Sequence, residues 1–188
     1  MPSESDKGSV RIIAGEWRSR RLPVVDVAGL RPSGDRSRET LFNWLAPFIP
    51  GAKCSDLFAG TGALGFEAAS RGADSVIMVE SNSRVVAHLR NNIDLLNASQ
   101  VSVNHGDALA WLDLQAPDSY NIIFVDPPFQ DHLHELVLQK IEKSACLKED
   151  GFVYMETPAL QAGPALSPGW SNWREKVMGD VRLQVFRR

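Results

Sequence analysis

The chain has 188 residues, room for one domain and little more, and its 44% hydrophobic content excludes global disorder. No apolar run reaches the roughly 20 residues of a membrane span, and the start MPSESDKGS lacks the layout of a signal peptide, so a cytoplasmic protein is expected. The net charge of −3 is unevenly spread: residues 7–38 hold eight basic and three acidic side chains, so a basic N-terminal arm precedes an acidic body, a distribution that suits one face to a polyanion.

In chain order, residues 10–25 read as a β-hairpin, RII and LPVV flanking the basic stretch AGEWRSR. Arg31-Pro-Ser-Gly opens a helix capped by Ser33 or Asp35, with Thr40, Leu41, Trp44, Leu45 and Phe48 at helical spacing until Pro47 and Pro50-Gly51 stop it. From Lys53 the rhythm becomes strand, glycine turn, helix. CSDLF is a strand and GALGFEAASRG a helix; SVIMVE is a buried strand, followed by a helix capped by Ser81 or Asn82 that ends near Leu96. VSVNHG, the short helix DALAWLDL and the strand YNIIFVD come next, then a helix over 132–143 and the strand FVYMET. Residues 173–178 and 181–186, joined by Gly179-Asp180, form a closing antiparallel hairpin. Strands alternating with helices imply an α/β fold with a mostly parallel, doubly wound sheet whose ligand loops share one edge. Residues 1–50 are expected as a hairpin-and-helix extension rather than an independent domain, on a main domain of residues 51–188.

Gly60-Thr-Gly-Ala-Leu-Gly65 follows a strand and opens a helix, and Glu80 ends the next strand where an acid accepts from ribose hydroxyls. The same letters fit a nicotinamide dinucleotide site. Three features favour S-adenosylmethionine. Asp56, just before the loop, repels a pyrophosphate and suits an ammonium and a sulfonium. Asp107, ending the third strand, accepts from an adenine amino group. Little chain remains for a substrate domain.

Asp126-Pro127-Pro128-Phe129 ends the fourth strand. Two prolines fix extended backbone and remove two amide donors, so carbonyls and the Asp126 carboxylate form an acceptor-only corner. That corner suits the two N–H groups of an aromatic amine, with Phe129 stacked on its ring. The same tetrapeptide chemistry serves adenine-N6 methylation of DNA or RNA, and a non-catalytic RNA-binding assembly factor on the same fold is the alternative from another class. Cys54 and Cys146 read as reduced structural thiols, and no spacing suggests a metal site. His132 and His134 read as a solvent-facing helix start. Trp17, beside Arg18, is placed to stack on a base, whereas Trp44, Trp111 and Trp173 read as core or lid residues. Glu39 and Asn43, about a turn apart, are expected near the methionine end of the cofactor.

The stretches RIIAGEWRSRRLPVV, LRPSGDRSRETLFNWL and DLFAGTGALGFEAASRGA, with DPPF and the closing MGDVRLQVFRR, resemble the RsmD family of bacterial 16S ribosomal RNA guanine-N2 methyltransferases; Ser33 stands where the family usually has threonine. The resemblance implies a Rossmann-like class I methyltransferase with a seven-stranded sheet. It implies cofactor contacts from Asp56 through Phe58, Ala59, Gly60, Thr61 and Gly62 to Gly65, from Glu80 at the ribose, and from Asp107 and Ala108 at the adenine. Base positioning falls to Asp126, Pro127, Pro128 and Phe129, and RNA contacts to Arg11, Arg18, Arg20, Arg21, Arg31, Arg36 and Arg38. The implied partner is 16S ribosomal RNA within the small subunit or an assembly intermediate, met by a monomer that needs no membrane.

Overall fold

The structure is a computed structural model that describes residues 8–25, 27, 34–127, 133–161 and 163–188. Two short strands, β1 (Ser9–Arg11) and β2 (Arg21–Pro23), pair antiparallel with Val10 opposite Leu22. Helix α1 (Asp35–Leu45) follows. The main sheet has seven strands in the order β5-β4-β3-β6-β7-β9-β8. β3 (Lys53–Asp56), β4 (Ser75–Glu80), β5 (Val101–His105), β6 (Tyr120–Val125) and β7 (Leu147–Pro158) run parallel. β9 (Val181–Arg187) is antiparallel to both β7 and β8 (Ser171–Met178), so the C-terminal hairpin closes the sheet. α2 (Ala63–Ser70), α3 (Ser83–Leu96), α4 (Ala108–Leu112) and α5 (His134–Ser144) are the crossovers.

The central strands β3, β4, β6 and the second half of β7 are buried on both faces, which is why β4 and β6 read as continuous apolar runs, whereas the edge strands β5 and β8 are largely exposed. Ile122 and Phe124 of β6 face a core with Phe42 of α1, Phe66 of α2 and Leu89 of α3. Ile123 and Val125 face a second core with Trp111 of α4 and Val137 and Ile141 of α5. β3 pairs with β4 on one side and β6 on the other, so the strand order reverses between β3 and β6. A crevice opens at such a switch point, beyond the strands' carboxyl ends.

Several boundaries differ from expectation. α1 ends at Leu45, before Ala46-Pro47, and Phe48 instead sets its ring 4.6 Å from Phe152. Its N-cap is Gly34 with no side-chain cap; Asp35 turns to Arg11 and Arg38, and Ser33 lies outside the described residues. β7 starts at Leu147, ahead of the expected FVYMET, because Leu147 already pairs with Tyr120, while Asp150 within it adopts a left-handed φ of 63°. α5 begins at His134 rather than 132.

The N-terminal hairpin docks on α2 through polar contacts. Glu67, fully buried, accepts the amides of Ile13 (2.7 Å) and Ala14 (3.0 Å) and pairs with Arg71 at 2.7 Å. Ser70 accepts the Trp17 amide at its Oγ and the Glu16 amide at its carbonyl. Gly15 lies so close to the Ser70 carbonyl, at φ 85°, that any Cβ there would overlap it. Trp17 is consequently 5% exposed and packs in the first core, which corrects the expectation that it stacks on a base.

Candidate active site

Five elements bring the expected residues to one edge of the sheet. β3 ends at Asp56, and the chain then turns through Leu57–Gly62 into α2. The Leu57 amide donates to the Phe124 carbonyl and the Ala59 amide to that of Val79, which ties the loop to both neighbouring strands. Gly62, the residue before α2, has φ 76°, and a Cβ on it would lie 2.6 Å from the Phe66 ring and 2.7 Å from Leu89. A Cβ on Gly65 would meet Met78 at 2.5 Å. Packing and backbone sterics therefore both select glycine here.

Asp56 is 1% exposed. Its Oδ2 accepts the Gly65 amide at 3.1 Å, while its buried Oδ1 has no hydrogen-bond partner among the described residues. Burial pushes its carboxyl up to about 7; the Gly65 amide opposes the rise, and the nearby Asp126 and Glu80 charges add to it. Glu80, half-buried at the end of β4, holds the loop from the other side: Oε2 accepts the Gly60 amide (3.0 Å) and Oε1 the Asn82 amide (2.8 Å). A carboxylate offers about four acceptor positions, so Glu80 retains capacity for hydroxyl donors. Asp107, past the end of β5, caps α4 by accepting the Ala110 amide at 2.8 Å and is otherwise exposed, with Ala108 buried behind it. Asn82 caps α3, as expected for that pair of candidates.

This set fits S-adenosylmethionine. The orphaned Asp56 oxygen, with its charge neighbours Glu80 and Asp126, gives a cation a reason to bind, and the glycine backbone permits close approach. Glu80 ends β4 and Asp107 follows the adjacent β5, so their carboxylates could accept the hydroxyl and amino donors of one nucleoside.

Asp126 and Pro127 follow β6 directly, the former half-buried and the latter buried. Pro128, Phe129 and His132 lie outside the described residues, as does Arg31. His134 is buried rather than solvent-facing, because its Nε2 donates to the Glu156 carbonyl at 2.8 Å and anchors the start of α5 to β7. Sequence reasoning passed over two residues here. Tyr154, buried in β7, donates its hydroxyl to Glu156 Oε2 at 3.0 Å. Burial raises the Tyr154 phenol well above its usual range, helped by the charges of Glu156 and Asp126. FVYMET reveals only a strand; its pairing with β6 is what brings these side chains beside Asp126.

The basic residues divide. Arg18, Arg20, Arg21 and Arg36 are exposed, and Arg11, also exposed, pairs with Asp35 at 2.8 Å. Arg38 is 2% exposed: its guanidinium donates to Asp35 and the Arg11 carbonyl and lies 3.7 Å from Glu67. The expected contact of Arg38 with RNA is corrected accordingly, since a guanidinium enclosed between α1, α2 and the hairpin cannot reach a phosphate. Glu39 and Asn43 also fall elsewhere than expected. With Arg11, Arg18 and Arg71 they line an open polar cavity of about 350 Å³. Arg71 follows the last residue of α2, whereas the glycine loop precedes its first, so this cavity sits at the other end of that helix. No group of three or more metal-ligating side chains occurs among the described residues.

The family described as "Conserved hypothetical protein 95" matches residues 10–187. Ribosomal RNA small subunit methyltransferase D of Escherichia coli K12 is 43% identical over 187 residues, covering 100% of this chain and 94% of that protein. The chain belongs to the RsmD family. The Haemophilus influenzae methyltransferase of the same name is 40% identical over 96% of this chain and 95% of its own length. Among solved structures, a putative methyltransferase from Escherichia coli superposes with a TM-score of 0.89 at 41% identity, over 96% of this chain and 98% of that one. A putative methyltransferase complexed with S-adenosylhomocysteine (TM-score 0.67, 14% identity, 89% of this chain and 52% of that one) shares the fold. The sheet order seen here is thus that of a methyltransferase, and the RsmD resemblance carried by the sequence motifs holds over the whole chain.

Proposed function

We propose that this chain methylates the exocyclic N2 amino group of a guanine in the 16S ribosomal RNA of the small subunit. It is an S-adenosylmethionine-dependent RNA methyltransferase, as its family membership and fold establish; the base, the atom and the subunit are our reading. The observation that carries it is the acceptor corner Asp126-Pro127 at the end of β6, one strand from the glycine loop that ends β3.

An aromatic amine is a poor nucleophile because its lone pair is delocalised into the ring. The Asp126 carboxylate and the Pro127 carbonyl accept its two N–H bonds, hold it in place and favour the pyramidal form whose lone pair points outward. Phe129 stacks on the base and fixes its plane. When bound, S-adenosylmethionine supplies a methyl group on a positively charged sulfur. Transfer would form the N–C bond as the C–S bond breaks, its electrons staying on sulfur, and Asp126 or water would take the surplus proton from the methylated nitrogen. Glu80 holds the ribose, Asp107 and Ala108 the adenine, and the loop from Asp56 through Phe58, Ala59, Gly60, Thr61 and Gly62 to Gly65 the methionine portion. Arg11, Arg18, Arg20, Arg21 and Arg36 meet RNA phosphates, with Arg31 assigned from sequence alone. The first fifty residues work as an extension fixed to the catalytic unit through Glu67 and Ser70, and the cytoplasm, where subunits assemble, is the place of action.

The test is to incubate the protein with methyl-labelled S-adenosylmethionine and small subunits from a strain lacking the modification, then digest the RNA to nucleosides. Label in N2-methylguanosine is expected. Label in N6-methyladenosine would keep the chemistry and discard the base; no label, with cofactor bound, would leave an RNA-binding protein.

A further inference from the structure

The registry of β6 against β7 sets Phe124 beside Tyr154 and Val125 beside Met155. Continued one residue past the end of β6, that registry sets Asp126 opposite Glu156, and the charges of both act on the Tyr154 phenol. Side chains two residues apart on a strand share a face, and Phe124 and Tyr154 already meet edge to face at 6.5 Å between ring centres. The same alternation, continued past the end of β6, puts Asp126 on the face of Tyr154 and Glu156, and neighbouring strands lie about 4.8 Å apart. Glu156 is 7% exposed, and the Tyr154 hydroxyl fixes the plane of its carboxylate. Its own carbonyl holds His134, so the backbone there is anchored as well. A second carboxylate is thus locked beside the one that receives the amine, in a place the methyl-transfer chemistry does not require.

Three nucleic-acid bases carry an exocyclic amine. On the edge beside that amine, adenine and cytosine present a ring nitrogen lone pair, whereas guanine presents N1–H. A carboxylate next to the amine-binding acid accepts a bond from guanine and meets a lone pair in the other two. We propose that Glu156 is the residue that selects guanine, accepting N1–H while Asp126 holds the N2 amine, with Tyr154 positioning it; this rests on the function proposed above. A site built around a donor rejects analogues that lack it far more strongly than a shape-based pocket does, because its own buried acceptor is left unpaired. The same carboxylate repels the wrong bases through their lone pairs, so selection has a repulsive as well as an attractive part.

The test compares guanine with 2-aminopurine, which keeps the amine but has a lone pair in place of N1–H. Small subunits are reconstituted around ligated ribosomal RNA carrying one or the other at the methylated position. Single-turnover rates and RNA affinities are measured for the wild type, Glu156→Gln and Tyr154→Phe, with S-adenosylhomocysteine affinity as the check on folding. The wild type is expected to prefer guanine at least about 100-fold. Glu156→Gln, whose amide donates to that lone pair, should collapse or invert the preference in rate and in affinity alike. Tyr154→Phe should lower it about tenfold, and carries the test if the glutamine variant does not fold. A glutamine variant that folds and keeps the wild-type ratio overturns the assignment. A wild type that labels no guanine removes the function proposed above, and this inference with it, before any variant is compared.

Discussion

Replacing Glu67 with glutamine tests the joint between the N-terminal arm and the catalytic sheet. In the native chain both carboxylate oxygens are engaged, by the Ile13 and Ala14 amides and by Arg71, with Arg38 at 3.7 Å. Glutamine keeps one acceptor but turns an NH2 toward donors, so at least one backbone amide loses its partner, at about 1–3 kcal/mol. It also leaves Arg38 and Arg71 without their shared counter-charge; breaking a buried ion pair costs about 3–5 kcal/mol. Arg71 is partly exposed and Arg38 retains Asp35, so the lower end of that range applies and the total should be about 4–6 kcal/mol. For a chain of this size that corresponds to a fall in Tm of roughly 8–24 °C. Differential scanning calorimetry gives the magnitude, and hydrogen exchange at the Ile13 and Ala14 amides gives the place. A fall below about 2 °C, or unchanged exchange at those amides, would refute the view that Glu67 holds the arm.

Asp56 should make stability depend on pH with a sign opposite to that of most carboxylates. Its folded pKa of about 7 lies above the unfolded 3.8, so its contribution is fully present below the unfolded value and is lost as pH rises to the folded one. The stability of the wild type relative to Asp56→Asn should therefore fall by up to about 4 kcal/mol between pH 4 and 7 and then level off; a flat difference in urea titrations would contradict this. Arg18→Gln with Arg36→Gln should weaken RNA binding and flatten its salt dependence by about two counterions, whereas Arg38→Gln should lower Tm with the salt slope intact. Phe129→Ala should slow turnover roughly 5- to 150-fold, the stacking worth of one base, with cofactor affinity unchanged by calorimetry. Equal losses in both would place the ring against the cofactor instead.

The α/β order and the ligand edge were legible because parallel strands buried on both faces leave apolar runs, and glycines mark where backbone must turn tightly. Glu80 and Asp107 stood out as candidates because each follows or closes a strand expected from the sequence. What escaped depends on pairs of residues far apart in sequence. Arg38 looks like any other member of a basic cluster until α2 supplies Glu67 across from it. Glu39 and Asn43 share a helix face with no sign of which end of α2 that face meets. Glu156 carries no motif, and only the alignment of β7 on β6 brings it beside Asp126.

Helix α2 begins one residue after Gly62 and ends at Ser70, the residue that grips Gly15 and Trp17. Its eight residues span about 12 Å. If the arm meets RNA and the glycine loop the cofactor, as proposed, the two are the jaws of one caliper, with a buried helix for its bar. On that reading, the length of α2 would set the separation between the bound RNA backbone and the base offered to the site.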